Sequence, residues 1–554
     1  MEEYSLEVRQ AGRLVLDPSE TQREFGKEIA SRLKLSADGK YVLWPQPTDD
    51  PEDPQNWSDA QKNMQLFIVV LASIVSDFDA AIGIPSVFAL AKQYHKTPGQ
   101  INDLVQNWSI FLVGWGGLFF VPIMRRYGRL STLFWTQLLA LGFLVGATFA
   151  PTLKIFTAMR CLTAFFGTCP QATVYWKLSK RPRILTFRQG LYTITDMFPF
   201  HLQARKINLW TTGAVLAPHL SPFLFGFLVA RASWRWAFGI ACLYGLGVLT
   251  LIVIFGKETY YDRSALNSRK PGEKSVKWTE QVHSRLKDLV GISGFRSAPK
   301  TPTWREVLWA PFMLVWRPHL FLILVFEAAV FGFGIGINGT FIDSVKVTNT
   351  VLLQSQPPLG FGLDPISVSG VYATPVVAAF LGLVIGRHLN DWIMAWEVKR
   401  NNGVFEAEAR LWACYIGGII YVIGFVVLGA ALQNHLNVAA VILGWGIAQI
   451  AVLVITVPVY AYCNDCFPHE QGEISALLNL TRTLGGFSVA FYQVSWAGRN
   501  GALQTIGCEA AIVVGLLLLV IPFLQLKGRY LRCLISIAFA WFLGQILYIR
   551  PRGY

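Results

Sequence analysis

The chain has 554 residues, of which 53% are hydrophobic and 15% charged, with 19 Trp, 38 Phe and a formal net charge of +14. Apolar segments outnumber what a soluble core can bury, which excludes an ordinary water-soluble domain and points to a polytopic membrane protein. The basic charge is spread over many short loops rather than gathered into a patch, which excludes nucleic acid as the expected partner.

In chain order, residues 1–65 are polar, charged and Pro-rich, show nothing like a secretory signal, and are expected to form a cytoplasmic N-terminal segment. A spanning helix needs roughly 20 mostly apolar residues. About twelve such stretches follow, beginning near Leu66, Leu104, Ser131, Ile155, Ile207, Trp236, Leu320, Pro365, Leu411, Val438, Ile474 and Ala502. With the amino end inside, Lys and Arg fall in several-fold excess on the predicted cytoplasmic loops, where anionic inner-leaflet lipid meets them. Both termini are therefore expected in the cytoplasm and the protein in the plasma membrane. The hydrophilic stretch 257–318 reads as a central linker between a first six-helix half, 66–256, and a second, 319–526, the layout of transporters built from structural repeats. The exits of spans two and eight, PIMRRYGRLS and GLVIGRHLNDW, place Gly-Arg and other polar groups on a predicted cytoplasmic loop at the same point of each half. In the tail, 527–554, the apolar run Leu534 to Ile549 is short for a span and suits an interfacial helix.

Two acids, Asp77 and Asp79, lie within the first apolar stretch, LFIVVLASIVSDFDAAIGIPSVFAL. A charge at mid-membrane costs about 2.5 to 3.5 kcal/mol by insertion scales, so such acids mark a functional site by default, against the alternative of a static ion pair that sets helix register. Residues two apart on a helix point about 200° from each other, so only one of the pair can face a cavity squarely. The cysteines fall mostly in apolar stretches and read as small hydrophobes, and the lone pair Cys463 and Cys466 lacks further ligands, so no metal is expected. GFGIGIN around Gly332, Gly334 and Gly336 follows no strand and reads as small residues for close helix contact. Gly256-Lys257 is followed by Glu258, so there is no phosphate-binding GxxxxGK[ST], and HEQGE at His469 lacks the second His of HExxH. No enzyme and no cofactor are expected, which leaves a secondary transporter driven by ion gradients.

Several blocks carry a family resemblance: DPEDPQNWS (Asp50 to Ser58), Asp77-Phe-Asp79 with Gly83 and Pro85, RRYGR (Arg125 to Arg129), ITDMFPFH (Ile194 to His201), SWRW (Ser233 to Trp236), KETYYDR (Lys257 to Arg263) and NLTRTLGGFSVAFYQVSW (Asn479 to Trp496). Over about Asp50 to Leu526 the chain resembles fungal major facilitator transporters of the drug:proton antiporter type, especially the branch with polyamine and organic-cation carriers. The resemblance implies an all-α membrane protein of twelve transmembrane helices in two pseudo-symmetric six-helix halves, with a central cavity lined mainly by helices one, four, seven and ten. It also implies a gating loop at Arg125, Arg126, Gly128 and Arg129, with Asp391 at the matching place in the second half. Two departures stand out. YWKLSKRPRILTFRQ (175–189) puts five basic residues where the fourth helix should continue, either as an enlarged loop or, the preferred reading, as translated intron. APHLSPFLFG replaces a Gly-Pro motif of antiporters, although Pro218 and Pro222 are expected to bend the fifth helix.

On the implied cavity helices lie Asp77 and Asp79, Arg160, Glu327, and Asp465 with Tyr460 and Tyr462. An acid and Arg160 that part and rejoin would exchange a proton for a conformational change. Asn338 and Asn479, like Gln493, are candidates for substrate binding, whereas Arg482 is expected to be structural, pairing with backbone or Glu473. The expected activity is alternating-access transport of a small amphipathic or cationic compound, coupled to protons and directed outward, by a monomer in membrane lipid. Proton-coupled uptake of polyamine-like cations, and a transport-inactive receptor or defective gene product, are the alternatives.

Overall fold

The computed structural model describes residues 13–36, 38–44, 46–50, 53–172, 197–259, 285–287, 289–292, 304–336, 363–467 and 471–548. Among them, ten helices are long and apolar enough to cross a membrane. We number the spanning elements α1 (Asp59–Ala81, prolonged by Gly83–Tyr94), α2 (Trp108–Tyr127), α3 (Arg129–Thr148), α4 (Leu153–Gly167), α5 (Phe200–Val229), α6 (Trp234–Phe255), α7 (Pro318–Gly336), α8 (Ala373–Arg400), α9 (Trp412–Gln433), α10 (Val438–Cys466), α11 (Gln471–Asn500) and α12 (Ala502–Tyr548). α4, described over 15 residues, and the more polar α11 are the two outside the ten, and they occupy the places of the fourth and eleventh predicted spans.

These stretches are helical because a helix satisfies every internal backbone donor and acceptor within itself, which hydrocarbon demands. Their starts are marked by side-chain caps: Ser58 accepts from the Gln61 N–H at 3.3 Å, Thr152 from Ile155 at 3.4 Å and Asn437 from Ala439 at 3.3 Å. Outward, the bundle shows a belt of large apolar side chains such as Trp236, Leu243, Ile419 and Leu519, each well exposed. A face of that extent needs lipid around it.

Two sequence expectations are corrected. α8 runs unbroken to Arg400, so GLVIGRHLNDW is helix rather than loop, while the matching turn after α2 is the single residue Gly128, whose φ of 102° favours glycine. Leu534 to Tyr548 is no separate interfacial helix but continues α12. Its 47 residues reach about 70 Å at 1.5 Å per residue, more than twice the roughly 30 Å hydrocarbon core. The N-terminal segment docks on the bundle: β1 (Arg13–Val15) pairs antiparallel with β2 (Val404–Glu406), beyond α8, and Leu16, Leu33, Val42 and Trp44 bury against Phe200, Ile393, Phe405 and Ala413. The atypical stretch 175–189, and Asn338, lie outside the described residues. So does most of the proposed linker 257–318.

The glycines of GFGIGIN pack as small residues must. An added Cβ on Gly332 would come 2.9 Å from the backbone of Gly485 on α11, and neither helix can yield without repacking. Gly332→Val should therefore destabilise the bundle by about 1–3 kcal/mol. Thermal unfolding of the detergent-solubilised protein checks this, and an unchanged transition would show the α7–α11 contact to be loose.

Candidate functional site

A cavity of about 110 Å³ lies between the two halves, toward the end of the bundle remote from the N-terminal segment. Its wall comes from α1 (Asp77, Ala80, Ile84), the start of the second span (Asn102, Asp103, Gln106, Asn107, then Ile110 and Val113), α5 (Pro218), α7 (Phe331, Ile335) and α11 (Asn479, Arg482, Thr483, Gln493). Of the four helices the resemblance implied, one and seven line this space, and among the described residues four and ten do not.

Asp77 opens on this cavity, held by the Gln171 amide, whose Nε2 donates to Oδ2 at 2.8 Å. Asp79 is not on the lining and is buried instead beside Arg160. The two acids diverge because they are two residues apart on one helix. Arg160 does not grip an acid side chain: its guanidinium donates to the backbone carbonyls of Asp79 and Ala80, the latter at 2.8 Å, while stacking over Phe238 at 5.3 Å. Those carbonyls lie where α1 ends before Gly83, so Arg160 satisfies acceptors that the break in the first span would orphan.

Sequence reasoning missed the residue of greatest electrostatic weight. Arg482 lines the cavity, receives the face of Phe331 at 3.7 Å and donates to the Tyr460 hydroxyl at 3.1 Å. Its charge acts on both Asp77 and Glu327. Thus an acid from the first half and one from the second share a cation on α11. Glu327 is fully buried on α7 and is not on the cavity lining. Tyr462 is buried away from the lining, and Asp465 forms a buried ion pair with Arg410 at the far end of α10. That pair removes Asp465 from the cavity set.

The second-span wall was also missed, because Asn102, Gln106 and Asn107 are uncharged polar residues around the start of a span and belong to no motif. It forms a π-helical turn, Asp103–Asn107, tied by Asn107 Nδ2 donating to Asp103 at 2.8 Å. Such turns recur at functional sites because they widen the helix and re-aim side chains. Buried at this wall without partners are Asn102 Oδ1 and Gln106 Oε1, both acceptors, and Asn479 Nδ2, a donor. Gln493 is oriented from behind by Glu509 of α12, a fully buried acid unremarked in the sequence, which accepts from its amide at 2.9 Å through both oxygens.

The gating-loop candidates gather at the opposite end. Glu258, beyond α6, accepts from the backbone N–H groups of Arg129 and Leu130 at 3.1 Å each, an anion set on the exposed donors of α3, while Arg129 donates to Thr259 at 2.7 Å. Asp391 of α8 pairs with Arg205 of α5 at 3.0 Å, joining the two halves. Arg125 and Arg126 lie in the last turn of α2, with side chains outside the described residues.

Arg160→Met, which loses two charged hydrogen bonds to carbonyls, should lower stability by about 2–3 kcal/mol or more. Asp79→Asn, which leaves those carbonyls in place, should stay within about 1 kcal/mol. The unfolding temperatures of the two variants compare them, and equal losses would mean that the carboxylate carries the contact.

The Major Facilitator Superfamily profile matches residues 186–490. Among curated relatives, the MFS transporter fsa7 of Fusarium sp. (strain FN080326) is 25% identical over 446 residues, 80% of each chain. The efflux pump radE of Floropilus chiversii is 22% identical, covering 89% of this chain and 83% of its own length, and the efflux pump vrtL of Penicillium aethiopicum 24%, covering 87% and 88%. The solved proton:xylose symporter XylE bound to 6-bromo-6-deoxy-D-glucose superposes with a TM-score of 0.54 over 84% of this chain and 96% of its own, at 14% identity, a likeness of fold. With its spanning helices and its cavity between two halves, the chain belongs to the Major Facilitator Superfamily, a family of integral multi-pass membrane transporters rather than enzymes.

Proposed function

We propose that the protein exports a small amphipathic organic compound by proton-coupled alternating access, as a monomer in the plasma membrane with both termini cytoplasmic. The observation that carries this reading is an acid and a cation on one cavity: Asp77 of α1 and Arg482 of α11, one from each half, both line it. A carboxylate removed from water needs either a proton or a cation. Protonating Asp77 removes the attraction across the halves and lets them rock; losing the proton restores it. Each charge moved through 100 mV supplies about 2.3 kcal/mol, enough for a roughly fifty-fold gradient.

The wall supports a ligand class. Asn102 Oδ1 and Gln106 Oε1 call for hydroxyl or N–H donors and Asn479 Nδ2 for a carbonyl, while Ile84, Ile110, Val113, Phe331 and Ile335 accept an apolar body. Relatives named efflux pumps favour export over uptake of polyamine-like cations.

The test is transport in proteoliposomes under an imposed pH gradient, comparing hydroxyl- and carbonyl-bearing amphipathic compounds with organic amines. Asp77→Asn should abolish gradient-driven accumulation and spare ligand binding, and Asp79→Asn should do so far less. Flux indifferent to the gradient would remove the proton from the mechanism, and accumulation that accompanies proton entry would reverse the direction.

A further inference from the structure

We propose that the N-terminal segment is a latch that holds the two halves together at the face opposite the cavity, and that it must let go for the transporter to open there. The inference rests on alternating access as the mode of action, but not on the substrate, the coupling ion or the direction of transport.

The segment touches both halves at once. Toward the second half, β1 adds to β2 in antiparallel register, with Val15 opposite Val404, and the Leu16 N–H donates to the Gly403 carbonyl at 3.2 Å. Toward the first half, the Phe200 N–H at the start of α5 donates to the Trp44 carbonyl at 2.9 Å, and Tyr41 stacks on His201 at 5.5 Å between ring centroids. Trp44 closes the loop between these anchors, its indole N–H donating to the Val15 carbonyl at 2.9 Å. Beneath lies one apolar cluster with members from all three parties: Leu16, Leu33, Val42 and Trp44 from the segment, Phe200 from α5, and Ile393, Phe405 and Ala413 from α8, its following strand and α9.

Under the latch the halves also touch directly, where α5 packs along α8. The Arg205–Asp391 pair is part exposed, a geometry that holds little by itself, and Asn208 of α5 donates to the Leu383 carbonyl of α8 at 3.0 Å. Opening this face pulls Phe200 and its helix away from α8 and α9. The segment cannot follow both: either the Trp44–Phe200 anchor or the β1–β2 ladder must part. Because an edge ladder and a cluster of a few side chains are local, they can release without unfolding the bundle.

The experiment reads conformation and needs no ligand. In lipid nanodiscs, a membrane-impermeant maleimide reports on Asn208→Cys, a position buried beneath the latch, with the protein lacking that substitution as background. Adding Trp44→Ala should raise the labelling rate several-fold. Adding both Val15→Cys with Val404→Cys and Tyr41→Cys with His201→Cys, and oxidising, pins the segment to the two halves at once and should lower it to background, and reduction of the same sample should restore it. If Trp44→Ala does not fold, the oxidised and reduced pair still decides the matter. Equal labelling in both redox states, with both cross-links formed, would show that the face opens without the segment letting go, and would leave the transport reading standing.

Discussion

The scarcity of partners for polar groups in a dry interior governs this molecule. Arg482 is shared between Asp77 and Glu327 while it bonds Tyr460 and lies on Phe331, so one cation supports acids from both halves. Arg160 spends its donors on the carbonyls freed where the first span breaks, and Gln171 binds at once to Ser73, Ser76 and Asp77. In water each of these groups would be satisfied at little cost. In the bundle each fixes the position of a helix, since an unmet buried charge costs several kcal/mol.

That economy also explains where the structure can change. The cavity wall keeps carboxamide atoms without protein partners, so a ligand or water must supply what the fold withholds. At the opposite end the contacts are of another kind, a short strand pair, a few buried side chains and a part-exposed ion pair, each individually weak and local. A transporter that rocks two halves needs such an asymmetry: contacts that exchange partners near the substrate, and contacts that release as a unit away from it. Glu258 on the amino end of α3 and the one-residue turn at Gly128 keep the neighbouring helices fixed to each other meanwhile.

Much of the fold was legible because spanning a bilayer imposes a length and a composition that local sequence must meet. The starts of the spans, the acids of the first helix and the small-residue contact of Gly332 are local properties of that kind. Two misreadings have a common cause. GLVIGRHLNDW looked like a loop because it is polar, yet α8 carries it as helix beyond the apolar stretch; α12 likewise runs on through a polar gap. Arg482 looked structural because its partners lie on α1, α7 and α10, far away in sequence.

By itself, then, the sequence determined that the chain spans a membrane, that its first helix carries two acids pointing different ways, and that no phosphate-binding or metalloprotease motif is present, since each follows from residue type and spacing within one segment. Only the tertiary structure decided which acid meets the cavity, that α11 rather than α4 brings the cation to it, and that the N-terminal segment closes over both halves. Those depend on how separate helices face one another. Residues more than a hundred positions apart, such as Leu16 and Phe200, become neighbours only when the halves pack.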